Sequence, residues 1–277
     1  MSHPLLERLA SGDPSERARA CREAVDDPSA VLFSESLAAA LGDPVTSVAD
    51  AAADALTQLA EHHDVKPALI TVLHGGDARA RLEAALTLAK LEPPSLRLLP
   101  ALAEGLALPD GNRRWRAARM LVSCGRLHGE VLPLLLGLAR GDERALVRRM
   151  AYHALRELAP DDPEVAQALL EGTRDSDVPA RRAAYAALAA LLDPPGQTVE
   201  ALIRALASEP DPASRRIVTV ALAQLAPMQT DELRAIAADA LRKALAEASD
   251  PEFQRGAERA LERLSDATRS TTNASSE

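Results

Sequence analysis

Arginine is the residue type whose placement in this sequence is regular enough to repeat one kind of chemistry. Five arginines, Arg81, Arg114, Arg148, Arg181 and Arg215, follow one another at intervals of 33, 34, 33 and 34 residues. A guanidinium group keeps its positive charge and offers five N–H donors, which suits it to paired hydrogen bonds with a carboxylate. The regular interval predicts that one structural unit is copied along the chain and that these arginines lie at the seams between copies.

A second group of large side chains lies on the same segments and points away from their apolar stripe on a helical wheel. Trp, Tyr and Arg are frequent binding hot spots, because they combine a large rigid surface with directional hydrogen bonds. The chain has one Trp and two Tyr, all at equivalent or adjacent positions of this group. An alternative for the tyrosines is that the ring covers a helix seam while the hydroxyl meets water. The expected partner-binding residues are Trp115, Arg119, Arg149, Tyr152, His153, Arg182, Tyr185 and Arg216.

The stretches around the arginines predict two helices in each repeat. In the fifth repeat, residues 131–140 predict a first helix and residues 145–158 a second one, separated by a short turn that contains Gly, Asp and Glu. Apolar residues of the second helix recur at the spacing of a core-facing stripe. The stripe consists of Val147, Met150, Ala151, Ala154, Leu155 and Leu158.

Asp-Pro pairs predict where several helices begin. The Asp side chain can accept a hydrogen bond from the first turn, and the proline occupies a position where a missing N–H costs nothing. The four pairs are Asp13-Pro14, Asp43-Pro44, Asp211-Pro212 and Asp250-Pro251.

Composition favours a helical fold and argues against a polyanion as the main partner. Hydrophobic residues make up 47% of the 277 residues, but aromatic residues only 2%. Ala and Leu are strong helix formers, and small side chains let helices pack closely, so the sequence predicts an all-α protein. The net charge of −9 makes nucleic acid an unfavourable partner overall.

The sequence predicts a cytoplasmic protein without membrane insertion. Its opening residues lack the apolar stretch of a secretory signal, and no apolar run reaches membrane-spanning length. Cys21 and Cys124 fall on or beside the inward stripe of predicted helices and lack metal-ligand spacing. We therefore interpret them as small buried apolar groups in a reducing compartment.

Motifs that carry catalysis do not occur in the sequence. It contains no Gly-x-Ser-x-Gly elbow, no Gly-x-x-x-x-Gly-Lys loop and no Gly-x-Gly-x-x-Gly turn. Its six histidines are scattered, without partners at metal-ligand spacing. We expect a protein that is not an enzyme and that uses neither a metal nor a cofactor.

The repeat pattern resembles the HEAT-repeat family, and most closely the short bacterial kind also found in phycobilisome-lyase-like proteins. The segments GDERALVRRMAYHALREL and DSDVPARRAAYAALAAL carry the resemblance best, and the template extends over roughly residues 5–264. The resemblance implies an α-solenoid of about eight antiparallel helix pairs over residues 1–265. A polar tail without an apolar stripe follows at residues 266–277, and we expect it to be disordered.

The resemblance also implies a ladder of ion pairs and a binding face. In that family, acidic residues of the turns and arginines of the second helices form a ladder between neighbouring repeats, and the second helices line the concave surface. Glu and Asp residues stand six positions before three of the arginines, whereas Gly75 and Leu108 stand there for the first two. The expected ladder residues are Arg81, Arg114, Asp142, Arg148, Asp175, Arg181, Glu209 and Arg215.

The function that these expectations favour is a non-catalytic scaffold that binds a protein or peptide on its concave face. Two alternatives follow from the resemblance. The outward arginines suit a nucleic-acid-binding protein similar to the alkylpurine glycosylases, although the overall acidity opposes it. A bilin lyase-like subunit needs an aromatic-lined pocket with a cationic residue, and Trp115 with Arg149 supplies one residue of each kind. The sequence does not indicate an oligomeric state.

Overall fold

The computed structural model describes residues 3–192 and 195–274, and within these residues it contains α-helices and turns but no strand. The chain forms two compact units, Met1–Val131 and Leu132–Glu277. The sequence predicts one solenoid domain over residues 1–265, and the two units divide that stretch near its middle. All-α architecture is confirmed by the helices of both units.

The first unit contains eight α-helices in its described part. Two short 3₁₀ turns, Ala30–Phe33 and Leu96–Leu98, lead into the third and seventh helices. The helices are α1 (Pro4–Leu9), α2 (Pro14–Glu23), α3 (Ser34–Ala40), α4 (Thr46–Leu59), α5 (Lys66–Gly75), α6 (Ala78–Leu91), α7 (Leu99–Gly105) and α8 (Gly111–Gly125).

The second unit is built in the same way from the remaining helices. A 3₁₀ turn, Ala226–Met228, follows the sixth of them. The helices are α9 (Val131–Gly141), α10 (Ala145–Leu158), α11 (Pro163–Gly172), α12 (Val178–Leu188), α13 (Gly196–Ser208), α14 (Pro212–Leu225), α15 (Asp231–Ala246) and α16 (Pro251–Ala274).

Within each unit the helices pack in two layers. In the second unit, the even-numbered helices α10, α12, α14 and α16 contact one another in chain order, and α11, α13 and α15 do the same beside them. The first unit repeats this order with α2, α4, α6 and α8 in one layer. An amphipathic helix buries one stripe against its pair and its neighbours, so copied helix pairs produce a layered stack.

The fifth repeat confirms the helix boundaries expected from its sequence. Its first helix is α9 and its second is α10, which begins at the predicted residue 145 and ends at 158. Val147, Met150, Ala151, Ala154 and Leu155 of the predicted stripe are buried. Leu158, in the last turn, is half-buried.

Three of the four Asp-Pro pairs begin helices as predicted. Asp13 and Asp211 accept hydrogen bonds from backbone N–H groups of α2 and α14, and Asp250 accepts one from Glu252 N at the start of α16. The expectation for Asp43-Pro44 is wrong, because α4 begins at Thr46. Asp43 instead accepts hydrogen bonds from Val45 N and from Arg17 Nε, so its carboxylate pairs with an arginine of another repeat and does not cap α4.

The last helix extends beyond the end expected from the sequence. The sequence predicts a disordered polar tail from residue 266, whereas α16 continues through Ala274. Neither Gly nor Pro occurs after Gly256, so no residue type that terminates helices interrupts this segment. Residues 275–277 of the predicted tail lie outside the described residues.

Both cysteines are fully buried, as their positions on the apolar stripe predict. Burial raises the pKa of the Cys21 thiol to about 11, so it stays protonated and inert near neutral pH. Among the described helices, none has the length and apolar character that crossing a membrane requires.

Candidate interaction surface

Arginines of the second helices reach forward to the turn of the next repeat. Nε and Nη2 of Arg148 donate to both carboxylate oxygens of Asp175, at 2.7 and 2.6 Å. Arg181 contacts Glu209 in the same way, at 2.9 and 3.0 Å. A two-point contact of this kind fixes the angle between guanidinium and carboxylate, and therefore the register of neighbouring helices.

The third donor of each arginine explains the six-residue spacing in the sequence. Nη1 of Arg148 donates to the backbone carbonyl of Asp142 at 2.8 Å, and Nη1 of Arg181 donates to that of Asp175 at 2.7 Å. Asp175 therefore receives Arg148 on its side chain and Arg181 on its carbonyl. One turn residue thus links two repeats.

The first unit contains the same contacts, partly through residues that sequence reasoning missed. Arg17 pairs with Asp43 at 2.7 and 3.0 Å, and Arg81 pairs with Glu104 at 2.8 and 2.6 Å. Arg17 occupies the equivalent position two repeats before Arg81, and Ala49 stands at the position between them. Glu104 lies in the last turn of α7 rather than in the following turn, which the six-residue rule does not reveal.

Three expected ladder residues make different contacts. Nη1 of Arg114 donates to the carbonyls of Leu108 and Pro109. Asp142 pairs with Arg144 of its own turn, at 2.7 Å. Arg215 lies with its guanidinium carbon 4.9 Å from the ring centre of Phe253, since Ala248 stands where the next repeat would supply an acid.

Tyr152 and Tyr185 do not point outward as the sequence predicts: their exposed fractions are 3% and 2%. The Tyr152 hydroxyl lies 3.3 Å from the Asp175 carboxylate, and the Tyr185 hydroxyl lies 3.0 Å from that of Glu209. Burial, and then Asp175, raise the pKa of Tyr152 to about 12. The outward placement of the two tyrosines is therefore wrong, because their hydroxyls find acceptors inside the ladder.

A spacing in the sequence carries the signal that would have placed the tyrosines correctly. Each stands four residues after a ladder arginine, Arg148 or Arg181, and residues four apart share one side of a helix. The corresponding position after Arg215 is Thr219, which is also buried. A tyrosine at this position is directed into the seam together with the arginine.

The next register position carries a row of arginines on four adjacent helices. We call these residues the arginine row: Arg149 on α10, Arg182 on α12, Arg216 on α14 and Arg255 on α16. Each follows the ladder position by one residue. Arg255 escaped sequence reasoning because Gln254, and not arginine, precedes it. The side of α10, α12, α14 and α16 that carries the row is called the second-helix face.

Two members of the arginine row form a second set of ion pairs. Arg182 donates to Asp211 at 2.8 Å, and Arg216 donates to Asp250 at 2.8 Å. Hydrogen bonds from the Ser214 hydroxyl and from Arg182 lower the pKa of Asp211 to about 2, so this pair is ionised at neutral pH. Both arginine side chains remain 38% exposed, so each still presents donors to solvent.

Around Arg149 the second-helix face keeps uncompensated positive charge. His153 and Arg156 follow Arg149 at four and seven residues, on one side of α10. Within the described residues, neither Arg149 nor Arg156 has an ion-pair partner. Burial, and then Arg156 and Arg149, lower the pKa of the half-buried His153 to about 4, so its imidazole is neutral at pH 7.

A groove of about 320 Å³ lies on this face between α14 and α16. Val220, 52% exposed, and the buried Phe253 contribute apolar surface. Gly256 leaves the centre open, since an added Cβ would meet only Thr219 Cγ2, at 3.9 Å. The remaining lining residues are Arg216, Thr219, Glu252, Arg255 and Arg259.

In the first unit, Trp115 and Arg119 lie one helical turn apart on α8. Trp115 is 39% exposed, and Arg119 is exposed, which agrees with their expected outward orientation. Sequence reasoning missed a buried cluster nearby on α6 and α8. Glu83, 2% exposed, accepts from Arg113 Nε at 3.2 Å and from Arg116 Nη1 at 2.9 Å. Arg113 occupies the register position that Val147 fills in the fifth repeat, so a charged pair replaces an apolar core contact.

The second-helix face offers hydrogen-bond donors and apolar surface. Guanidinium groups of this kind can recognise carboxylates or phosphates, and the groove has room for small apolar groups. Within residues 3–192 and 195–274, no group of His, Cys, Asp and Glu side chains is placed to hold a metal ion.

Several solved structures are similar to this chain at low sequence identity, and the Kap121p structures share its fold. A crystal structure of an engineered protein is 23% identical, with a TM-score of 0.47, over 94% of this chain and 77% of its own. Kap121p is 14% identical, with a TM-score of 0.54, over 95% of this chain and 37% of its own. Kap121p bound to the extreme C-terminus of the protein phosphatase Cdc14p is 15% identical, with a TM-score of 0.55, over 94% of this chain and 33% of its own. This chain thus spans about a third of the Kap121p chains that it matches.

Sequence comparison identifies the repeat type in the middle of the chain. No curated protein matches the sequence. Residues 99–189 match the family model described as HEAT repeats, and this stretch includes α8, α10 and α12 with Arg114, Arg148 and Arg181. Residues 99–189 are therefore similar to HEAT repeats, and the chain has the fold of an all-α solenoid.

Proposed function

We propose that this protein is a non-catalytic scaffold that binds an acidic protein or peptide on the second-helix face of its second unit. One observation carries the proposal: the four arginines of the arginine row occupy the same register position on four adjacent helices. A row of this kind presents repeated positive charge along the stack, which a partner with repeated negative charge can match.

Charge on this face contrasts with the rest of the protein. The whole chain carries −9, yet Arg149, Arg156, Arg255 and Arg259 have no ion-pair partner among the described residues. Arg149 and Arg156 are half-buried, so their stems are partly held and they lose less side-chain entropy when they bind. Local charge complementarity therefore favours an anionic partner in spite of the net charge.

The structural comparisons support a partner of the peptide type. One of the Kap121p structures holds the extreme C-terminus of Cdc14p, so a solenoid with this fold can hold a terminal segment of another protein. In the first unit, the exposed Trp115 and Arg119 supply an aromatic and a cationic contact of the kind found at binding hot spots.

The test is affinity capture from the native host with a variant that removes the arginine row. We expect Arg149→Gln, Arg182→Gln, Arg216→Gln and Arg255→Gln together to abolish recovery of the partner. A matched control replaces four exposed arginines of the same unit that lie outside this face, which gives the same change in net charge. The control substitutions are Arg140→Gln, Arg174→Gln, Arg204→Gln and Arg242→Gln.

The control variant should recover the same partner as the wild type, and the purified partner should bind the wild type directly. Equal recovery by the arginine-row variant contradicts the proposal. Binding of duplex DNA at low ionic strength, lost in the arginine-row variant and retained in the control, would instead favour the nucleic-acid alternative.

A further inference from the structure

We infer that the second-helix face binds an acidic segment in the polyproline II conformation, with a carboxylate at every third residue. This inference rests on the proposed function and defines the conformation and the charge spacing of the partner. It follows from the repeat distance of the arginine row, the free donors of its members and the groove between α14 and α16.

The distance between neighbouring arginines of the row is set by helix packing. Since α10, α12, α14 and α16 contact one another in order, equivalent positions on them recur at the interaxial distance of packed helices, about 8–10 Å. A polyproline II helix rises about 3.1 Å per residue with three residues per turn, so it repeats every 9 Å or so. Its every third side chain therefore meets successive arginines from the same side.

Other backbone conformations do not match this repeat. In a β-strand, side chains three residues apart point to opposite sides, so alternate carboxylates would face away from the arginine row. In an α-helix, residues three apart are separated by only about 4.5 Å along the axis, roughly half of the repeat. With a carboxylate at every third residue, polyproline II satisfies both distance and direction.

Each member of the arginine row has donors available for a second carboxylate. Arg149 and Arg255 form no ion pair within the described part of the chain. Arg182 uses Nη2 for Asp211, and its side chain remains 38% exposed. Arg216 uses Nη1 for Asp250 and Glu252. A guanidinium has five N–H donors, so these contacts leave room for a ligand.

Beside the first three arginines of the row runs a lane of smaller side chains that can accept the residues between the carboxylates. Four residues after these arginines stand His153, Ala186 and Val220, and His153 is neutral at pH 7. Four residues after Arg255 stands Arg259, so the lane ends at the groove. The lane widens at Val220 into the groove between α14 and α16, where Gly256 carries no side chain. Proline rings of the bound segment can pack on the exposed apolar surface of Val220 and enter this groove.

Synthetic peptides test the spacing directly by fluorescence anisotropy with the full chain at low ionic strength. The probe is four repeats of Asp-Pro-Ser with a fluorescein label, and the comparison peptide has the same composition with all four Asp residues adjacent. We expect the repeat peptide to bind about tenfold more tightly, and a peptide with Lys in place of Asp not to bind. Equal affinity of the two acidic peptides, or no binding of either, overturns the inference.

Substitutions place the binding on this face. Arg149→Gln with Arg255→Gln should weaken binding of the repeat peptide about tenfold, since two charge contacts with the peptide are lost. Arg204→Gln with Arg242→Gln, the same charge change on exposed parts of α13 and α15, should leave the affinity unchanged. Equal weakening by both pairs would indicate general charge attraction and overturn the inference.

Glu252 supplies a variant with the opposite effect. It is 65% exposed and lies 3.3 Å from Arg216 Nη1, where it competes with a ligand carboxylate. Glu252→Gln should tighten binding of the repeat peptide about two- to fivefold, and unchanged affinity would contradict competition at Arg216. A different outcome is that capture of the partner depends on the arginine row while the repeat peptide and the peptide with adjacent Asp residues bind with equal affinity. The inference then fails while the proposed function stands.

Discussion

The hydroxyl of Tyr185 lies 3.0 Å from Oε2 of Glu209, the same oxygen that accepts a hydrogen bond of 2.9 Å from Arg181 Nε. Tyr152 repeats this relation with Asp175, at 3.3 Å. Tyrosine is thus a third member of the ladder in two successive repeats, and it satisfies lone pairs that the arginine leaves open. The buried ion pair therefore costs less than its burial alone implies, because its remaining polar atoms are paired.

Tyr185→Phe tests the energetic role of this hydroxyl. The substitution keeps the ring and removes a hydrogen bond to an ionised carboxylate, so the free energy of unfolding should fall by about 2 kcal/mol. Urea denaturation followed by circular dichroism measures the change. As a control, Arg119→Gln alters an exposed side chain and should shift stability by less than about 0.5 kcal/mol. A variant as stable as the wild type would show that water replaces the lost contact.

The sequence predicts the repeat, the helix pairs and the core of this protein well, because each depends on local periodicity. The stripe from Val147 to Leu155 follows directly from the spacing of apolar residues. The orientation of Tyr152 and Tyr185 depends instead on what lies across the seam. A helical wheel gives an angle but not the length of the side chain or the presence of an acceptor in the next repeat.

Contacts between repeats limit prediction in two further places. Glu83 and Arg113 occupy positions that other repeats fill with apolar residues, and the buried charge of each is compensated by the other. The partner of Arg81 is Glu104, which lies in the last turn of α7 and not in the turn that follows this helix. Neither partner lies within the same helix, so spacing along the chain does not reveal the pair.

Acid should destabilise the protein partly through Glu209. Hydrogen bonds from Arg181 lower the pKa of Glu209 below its usual value, and the unfolded chain has a Glu pKa of about 4.3. Glu209 therefore contributes stability that is fully present above about pH 5 and is lost as the pH falls through its folded pKa. Glu209→Gln should lower stability at pH 7 by about 3 kcal/mol and reduce the slope of stability against pH below 5. Parallel pH profiles of variant and wild type would contradict this assignment.

Two helical glycines should respond oppositely to the same substitution. At Gly256 an added Cβ finds only an ordinary contact, so Gly256→Ala should raise stability by about 1 kcal/mol through helix propensity. At Gly172 the Cβ would lie 2.7 Å from Tyr152 Cζ and 3.0 Å from Ala184 Cβ, so Gly172→Ala should lower stability by about 1–3 kcal/mol. Melting temperatures of both variants measure the effects. A rise at both sites would show that Tyr152 moves to make room for the added methyl group, and a fall at both sites would contradict the gain expected at Gly256.

The buried Glu83–Arg113 pair should be costly to break but replaceable as a whole. Glu83→Ala leaves Arg113, whose side chain is 7% exposed, without its carboxylate, and should lower the free energy of unfolding by about 3–5 kcal/mol. Glu83→Leu with Arg113→Met removes both charges and should recover most of that loss. Denaturant midpoints of the single and double variants provide the measurement. A double variant that is less stable than Glu83→Ala would contradict this expectation, because Arg116 loses the same carboxylate in both variants.

Leu155→Ala tests whether the repeats of the second unit unfold together. Leu155 is fully buried on α10, so its truncation should lower stability by about 2–5 kcal/mol. A helix pair of this length cannot offset its ordering entropy alone and depends on its neighbours. Because α10 packs against α12, hydrogen exchange should accelerate in both helices to a similar extent. Exchange that accelerates in α10 while α12 keeps its wild-type protection would mean that the fifth repeat opens independently, and the ladder from Arg148 to Asp175 would then not couple the two.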